Sequence, residues 1–497
     1  MTKPSKVITN SFYLFLTQAS TMLLGYIFWL VLAKLLSPTE VGVFSTLLNW
    51  SLFIIGFSVL GMSAAVPKLI SEYSVSDEKK IGSTIKYSFK AVAGFNILIL
   101  LFVLLAADFL PRPQALTAND LRLLGIIIFS LSLSYISMSY LYGLQMMKKF
   151  FAFNLIISVL KIIIPAAIIL IFLNFKAAIA GYAAVITLVS LWALMYVPFS
   201  SGEVDKKRIL SFAIPALISG PAGMLLNQGS IIVLTLTDTI NAVGIFSIAF
   251  IVAAPIRAVS DIISQATLPF VSQKWTLGKI PEIAKVSRFY FKFVIAVALP
   301  LLIALYFFSG ELLLLVSKQE YLVAASLIPI LGVSFLFSGL GSNCTNMLYY
   351  IGKQYRYQNT VVIAGLLNVI LSFVFVYRMG IFGAALAFLT SNILLFCLGS
   401  FWLKKEVKYL FPWRSLIKLI IPAALCAAVF YFVKPLYTGV VWMLVTFGAA
   451  SIAYVSGFLI IRFLSKEEYE IARNIIDNFP PAVRPLGDFV LKTLKRV

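Results

Sequence analysis

Two positive charges lie far inside apolar sequence: Lys161, within the run 150–173, and Arg257, within the run 243–271. Lys161 is about 12 residues, or about 18 Å of helix, from either end of its run, too far for its side chain to reach water by snorkelling. Arg257 precedes Asp261 by four residues, so a helix places both charges on one face. Cations at such depth fit two kinds of chemistry. They can receive an anionic group that must cross hydrocarbon, or they can neutralise a neighbouring carboxylate inside a bundle. Asp261 is the acidic residue that falls within an apolar run. It is therefore the candidate for a coupling ion, H+ or Na+, and equally a counter-ion that fixes Arg257.

Other chemistries are missing from the residue types. The chain has no histidine, which excludes histidine-based triads, histidine zinc sites and histidine proton relays. It contains no phosphate-binding glycine loop of the ATPase type, so ATP does not drive it directly. The 3 cysteines, Cys344, Cys397 and Cys426, are too widely spaced for a metal or redox motif, and no cofactor beyond a coupling ion is expected. No carboxylates pair at depth, and the longest outward link is too short for a catalytic domain, so an enzyme such as a glycan polymerase or transferase is disfavoured.

The elements that hold these charges follow from composition. Hydrophobic residues make up 61% of the 497, charged residues only 12%, and the mean hydropathy is +1.00. These values define an integral membrane protein, and apolar runs of twenty or more residues define spanning helices rather than barrel strands. The sequence predicts fourteen spans: 8–33, 41–67, 82–107, 122–147, 150–173, 178–199, 210–236, 243–271, 287–309, 321–350, 358–377, 381–403, 416–434 and 438–462. With the N-terminus inside, 31 of the 40 Lys and Arg fall on cytoplasmic links and tails, 7 fall on outer links, and Lys161 and Arg257 lie deep within spans. That bias places both termini in the cytoplasm and accounts for the net charge of +21 through topology and lipid headgroups, without nucleic acid.

The segment VGVFSTLL, 41–48, returns as VGIFSIAF, 243–250, an offset of 202 residues. At the same offset Met22-Leu23-Leu24 matches Met224-Leu225-Leu226, Ser58 matches Ser260, Pro67 matches Pro269, and Gly181 matches Gly383. The register spans six predicted helices, the mark of an internal duplication. A six-span unit returns to its starting side, so its two copies run parallel and are related by a pseudo-twofold axis along the membrane normal. The expected organisation is an N-lobe at 1–205, a C-lobe at 206–405, two extra helices at 406–463 and a cytoplasmic tail at 464–497. Two lobes meeting at a cleft suit alternating access.

The first span, followed by Leu35-Leu36-Ser37-Pro38-Thr39-Glu40-Val41-Gly42-Val43-Phe44 and the step Pro67-Lys68, resembles the opening of prokaryotic polysaccharide-biosynthesis flippases of the O-antigen type. These belong to the multidrug, oligosaccharidyl-lipid and polysaccharide exporter superfamily. The resemblance implies translocation of a polyprenyl phosphate- or pyrophosphate-linked oligosaccharide from the cytoplasmic to the outer leaflet of the cell membrane. Membrane lipids and glycan-assembly enzymes are the implied partners. A cation-coupled drug exporter of the same superfamily is the competing reading. In the related lipid II flippases a mid-membrane arginine of the eighth helix binds the cargo's phosphates, and Arg257 is similar in place. Their charged first and second helices have no match here.

Such a cargo brings phosphates and hydroxyls, so the path must offer cations and amides. Arg257 and Lys161 are the candidate cations, and Gln18, Asn49, Asn227 and Gln228 are the candidate amides, with interhelix hydrogen bonding as their alternative role. Asn154, Asn343, Asn346 and Asn368 are further amides within or near spans. Pro215, Gly220 and Pro221 interrupt the seventh span ahead of Asn227 and make it a candidate hinge.

Overall fold

The first hairpin shows how the sequence starts a helix. In the computed structural model, Ser37 caps α2 by accepting from the Glu40 amide, while its own amide donates to the Glu40 carboxylate at 2.9 Å. Pro38 occupies the first helical position, where its missing N–H costs nothing. The motif Ser37-Pro38-Thr39-Glu40 is thus a helix-start device. Its repeat counterpart Thr239, 202 residues on, accepts from the Ala242 amide at 3.2 Å.

The structure describes residues 4–113, 116–408, 411–436, 439–461 and 473; the remainder of the expected tail, 464–497, lies outside the described residues. The described chain is helical: α1 (Pro4–Leu35), α2 (Pro38–Ser58), α3 (Met62–Ser76), α4 (Lys79–Ala106), α5 (Ala118–Gly143), α6 (Met147–Phe172), α7 (Phe175–Leu194) and α8 (Lys206–Thr237). There follow α9 (Ile240–Ala253), α10 (Pro255–Thr276), α11 (Ile280–Val316), α12 (Leu327–Tyr350), α13 (Gln354–Val407), α14 (Trp413–Lys418), α15 (Ile420–Val433) and α16 (Val440–Ile461). Among the described residues 12 helices are long and apolar enough to cross a membrane, or 13 if the bent pair α9 and α10 forms one span.

Four expected spans differ in form. The stretch 41–67 is broken between α2 and α3 by Leu60 and Gly61, with φ of 53° and 65°. Gly61 lies against the Ala213 carbonyl, where a Cβ has no room, so packing on α8 dictates the left-handed break. The terminal carbonyl of α2, Ser58 O, is satisfied by Asn96 Nδ2 at 3.0 Å. The stretch 243–271 bends by 46° where Pro255 opens α10. The spans 358–377 and 381–403 lie together in α13, whose 54 residues amount to about 80 Å of helix, far beyond a bilayer core of about 30 Å. Gly380, at φ 53° and ψ −132°, reverses the chain. The reversal brings Gly383 against the Phe375 carbonyl, an approach impossible within one straight helix.

The chain divides into two units. One comprises Met1–Ile248, Val316–Tyr321 and Asn368–Ala384; the other comprises Ala249–Leu315, Leu322–Leu367 and Ala385–Val497. In the first, small residues let helices approach closely: Gly143 meets Pro67, and Gly125 meets Val103. Buried hydroxyls pair across helices, Ser58 with Ser132 at 3.0 Å and Ser88 with Tyr140 at 2.9 Å.

The duplicated phrases also touch one another within this unit. Ser45 Oγ lies 2.6 Å from Ser247 Oγ, and Asn241 Nδ2 donates to Thr39 Oγ1 at 3.3 Å, each pair separated by 202 residues. Gly42 backs onto the Ile240 carbonyl, while its counterpart Gly244 backs onto the Pro38 carbonyl, and Ile240 is itself the counterpart of Pro38. Reciprocal contacts of this kind are what a local twofold relation produces. Beside them, Lys34 Nζ donates to Ser317 O at 3.2 Å and Lys318 Nζ to Leu35 O at 3.0 Å. Cations there complement carbonyls at helix C-termini.

In the second unit, α11 carries two cores. Tyr290, Phe291 and Val294 pack with Leu340, Cys344 and Met347 of α12. Phe308 packs with Cys426, Phe430 and Tyr454 of α15 and α16. Cys344 and Cys426 are buried as small core residues, whereas Cys397 is exposed on its helix.

Candidate functional site

Arg257 stands on the first turn of α10, two residues beyond the Pro255 start. Its guanidinium reaches across to α12, where Nη1 donates to Ser338 Oγ at 2.6 Å and Nη2 to Ser342 Oγ at 3.4 Å. On its own helix Nε faces Asp261 Oδ2 at 3.4 Å, the i, i+4 pair the spacing predicts. The Arg257 side chain is 26% exposed and the Asp261 side chain 38%, so neither charge is sealed in the core.

This cluster heads a polar seam between α10 and α12. Ser260 lies against Gly339, where a Cβ has no room. Asn343 Nδ2 donates to Ser264 Oγ at 2.8 Å, and Tyr290 OH of α11 donates to Gly339 O at 3.2 Å. Positions 257, 260, 261 and 264 therefore face 338, 339, 342 and 343, one helical stripe against another. In hydrocarbon, helices gain nothing by hiding apolar surface from each other, so small residues and hydroxyls supply the seam. Ser338 and Ser342 meet Arg257, although the sequence did not single them out. The legible signal was two serines at i, i+4 in an apolar run.

The other candidates belong to the first unit. Lys161, half-buried on α6, holds its ammonium 6.0 Å from the centroid of the Phe28 ring. That ring belongs to an aromatic cluster with Phe44 and Tyr182, at centroid distances of 5.6 Å from each. Gln18 is exposed on α1. Asn49 is buried and donates to Ser45 O at 2.8 Å and Ser45 Oγ at 3.1 Å, which links it to the Ser45–Ser247 contact. Asn227 donates to Gly223 O on its own helix at 2.8 Å, and Gln228 is half-buried beside it. The structure thus brings Arg257 and Asp261 into direct contact, with Gln18, Asn49, Lys161, Asn227 and Gln228 on the other unit.

Helix α8 runs through Pro215, Gly220 and Pro221 without interruption; Pro215 and Gly220 are exposed, and Pro221 packs against Gly56. Two amides outside the candidate set tie helices together. Asn343 does so as described, and Asn368 donates to Leu225 O and Leu226 O, both at 3.1 Å, while accepting from Ser230 at 2.7 Å.

The fold defines the class first. The helical fold is similar to that of solved transporters and flippases of the multidrug, oligosaccharidyl-lipid and polysaccharide exporter type, and the chain is a multi-pass membrane protein. The solved lipid II flippase MurJ, in an inward closed conformation, is similar with a TM-score of 0.70 and 17% identity, over 90% of this chain and 97% of that one. An inward-facing multidrug resistance transporter of the MATE family is similar with a TM-score of 0.68 and 15% identity, over 78% of this chain and 94% of that one. The polysaccharide biosynthesis protein family matches residues 7–275, more than half of the 497, and the chain belongs to that family. The membrane protein MJ1068 of Methanocaldococcus jannaschii is 20% identical over 472 residues, covering 89% of this chain and 93% of the relative.

Proposed function

We propose that this protein moves a polyprenyl phosphate- or pyrophosphate-linked oligosaccharide from the cytoplasmic to the outer leaflet of the cell membrane by alternating access. The observation that carries the reading is Arg257: a guanidinium on a membrane helix, aimed by two neutral hydroxyls and still partly exposed. An ion pair at such depth avoids acyl chains, so its exposure supports a polar path within reach of an anionic headgroup. Lys161 beside its aromatic cluster is a second cationic position, and Gln18, Asn49, Asn227 and Gln228 are candidate contacts for sugar hydroxyls. Asp261 is the candidate for a coupling H+ or Na+.

The topology proposed with this function has fourteen crossings, both termini in the cytoplasm, two parallel six-helix lobes and a terminal pair. Counting the two arms of α13 separately adds one span to the thirteen that include the bent pair, which supports fourteen. The reciprocal glycine and serine contacts 202 residues apart support the duplication.

The test is reconstitution of the full chain in vesicles with lipid-linked oligosaccharides, scoring leaflet exchange. The native chain is expected to exchange the labelled lipid and Arg257→Ala to lose at least about tenfold in rate, the scale of a removed charged contact. Equal rates for the two chains would count against the assignment. Drug resistance without any glycan phenotype would favour the exporter reading, which the likeness to the multidrug transporter keeps open.

A further inference from the structure

Resting on the function proposed above, we infer that Asp261 is an internal stand-in for the cargo's phosphate: it occupies the Arg257 guanidinium when cargo is absent and is displaced when a phosphate or pyrophosphate arrives. Among the described residues, Arg257 makes two kinds of contact. Its Nη1 and Nη2 donate to Ser338 and Ser342, neutral hydroxyls on the next helix that fix direction without cancelling charge. Its Nε meets the carboxylate of Asp261 through one oxygen at 3.4 Å. A guanidinium and a carboxylate that are free to optimise form a two-pronged pair at about 2.8 Å. This pair is single-pronged and long, with both side chains partly exposed, which is the geometry of a displaceable partner.

Two consequences follow, and the second separates this arrangement from a merely structural ion pair. Before cargo binds, Asp261 lowers the cost of holding a cation within the membrane. During turnover, the carboxylate competes with the phosphate and keeps the bound state from becoming too tight for release, a balance that any transport site needs. The serines are positioning residues, because they keep the guanidinium in place while its anionic partner changes. A structural pair would weaken binding when broken; a competing pair strengthens it.

The experiment uses the purified full chain in lipid nanodiscs, titrated calorimetrically with farnesyl pyrophosphate, inorganic pyrophosphate and the uncharged farnesol. The expected result is that Asp261→Asn binds farnesyl pyrophosphate at least about fivefold more tightly than the native chain, the scale of a partly exposed ion pair. Farnesol binding stays unchanged, and Asp261→Glu stays near the native value. Asp261→Ser provides the same test if the Asn variant does not fold, with folding checked by thermal melting. Tightening for inorganic pyrophosphate as well supports a site that reads phosphate alone; tightening confined to the lipid form supports one that also requires the chain. Unchanged or weaker pyrophosphate binding in a folded Asp261→Asn or Asp261→Ser overturns the inference and leaves the functional reading standing. If the native chain and Arg257→Ala bind farnesyl pyrophosphate alike, both fall.

Discussion

Ser45 Oγ and Ser247 Oγ lie 2.6 Å apart although 202 residues separate them in the chain. Each sits in one of two similar eight-residue segments, 41–48 and 243–250, so the recurring segments meet in space as well as in sequence. Closely paired hydroxyls on two helices make a direct handle on their separation.

The double variant Ser45→Cys/Ser247→Cys, in a background with Cys344, Cys397 and Cys426 replaced, is expected to form a disulfide on mild oxidation. If the proposed alternating access parts these two helices, leaflet exchange stops on oxidation and returns with reductant. Full transport by the cross-linked protein would show that these helices stay together throughout the cycle.

Gly42 and Gly244 each abut a backbone carbonyl of the other copy. Replacing either by Val forces the helices apart, with an expected loss of about 1–3 kcal/mol for overpacking. A lowered melting temperature for both single variants, by similar amounts, is the outcome to look for. A drop at one position alone would speak against reciprocal packing.

Asn368 bridges α8 and α13 through two carbonyls and Ser230 while fully buried. Asn368→Leu leaves the Ser230 hydroxyl without this acceptor and should cost about 1–3 kcal/mol. Thermal melting in detergent measures the change. A matching Ser230→Ala should recover part of it, since the pair is then removed together.

Ser338 and Ser342 aim Arg257 without neutralising it. Ser338→Ala, which removes the 2.6 Å bond, is expected to weaken pyrophosphate binding by about threefold to tenfold, on the scale of one hydrogen bond to a charged group. Ser342→Ala, at 3.4 Å, should have the smaller effect. The reverse order would mean that the guanidinium turns to a different partner when cargo binds.

Helix α8 carries Pro215 and Pro221 in its interior. If the hinge proposal holds, Pro215→Ala with Pro221→Ala restores backbone bonds, stiffens the helix and slows leaflet exchange by about tenfold while the protein still folds. Exchange at the native rate would remove the hinge from the mechanism.

Much of the fold was readable from the chain because the bilayer imposes a simple rule: every backbone group must be satisfied within its own segment, so apolar runs of sufficient length become helices. The runs 82–107, 122–147 and 150–173 appear as α4, α5 and α6 with shifts of a few residues. The Arg257–Asp261 pair was equally legible, since i, i+4 spacing fixes a shared helix face. The break at Leu60 and Gly61 was not, because no local residue demands it; the Ala213 carbonyl on a distant helix does.

The sequence by itself determined an apolar helical membrane chain with a repeated segment and two cations far inside apolar runs, because hydropathy, length and spacing are properties of consecutive residues. Only the tertiary structure decided which groups meet those cations. Ser338 and Ser342 come to Arg257, and Ser247 to Ser45, through packing of helices that are far apart along the chain, and no local rule of spacing encodes that choice.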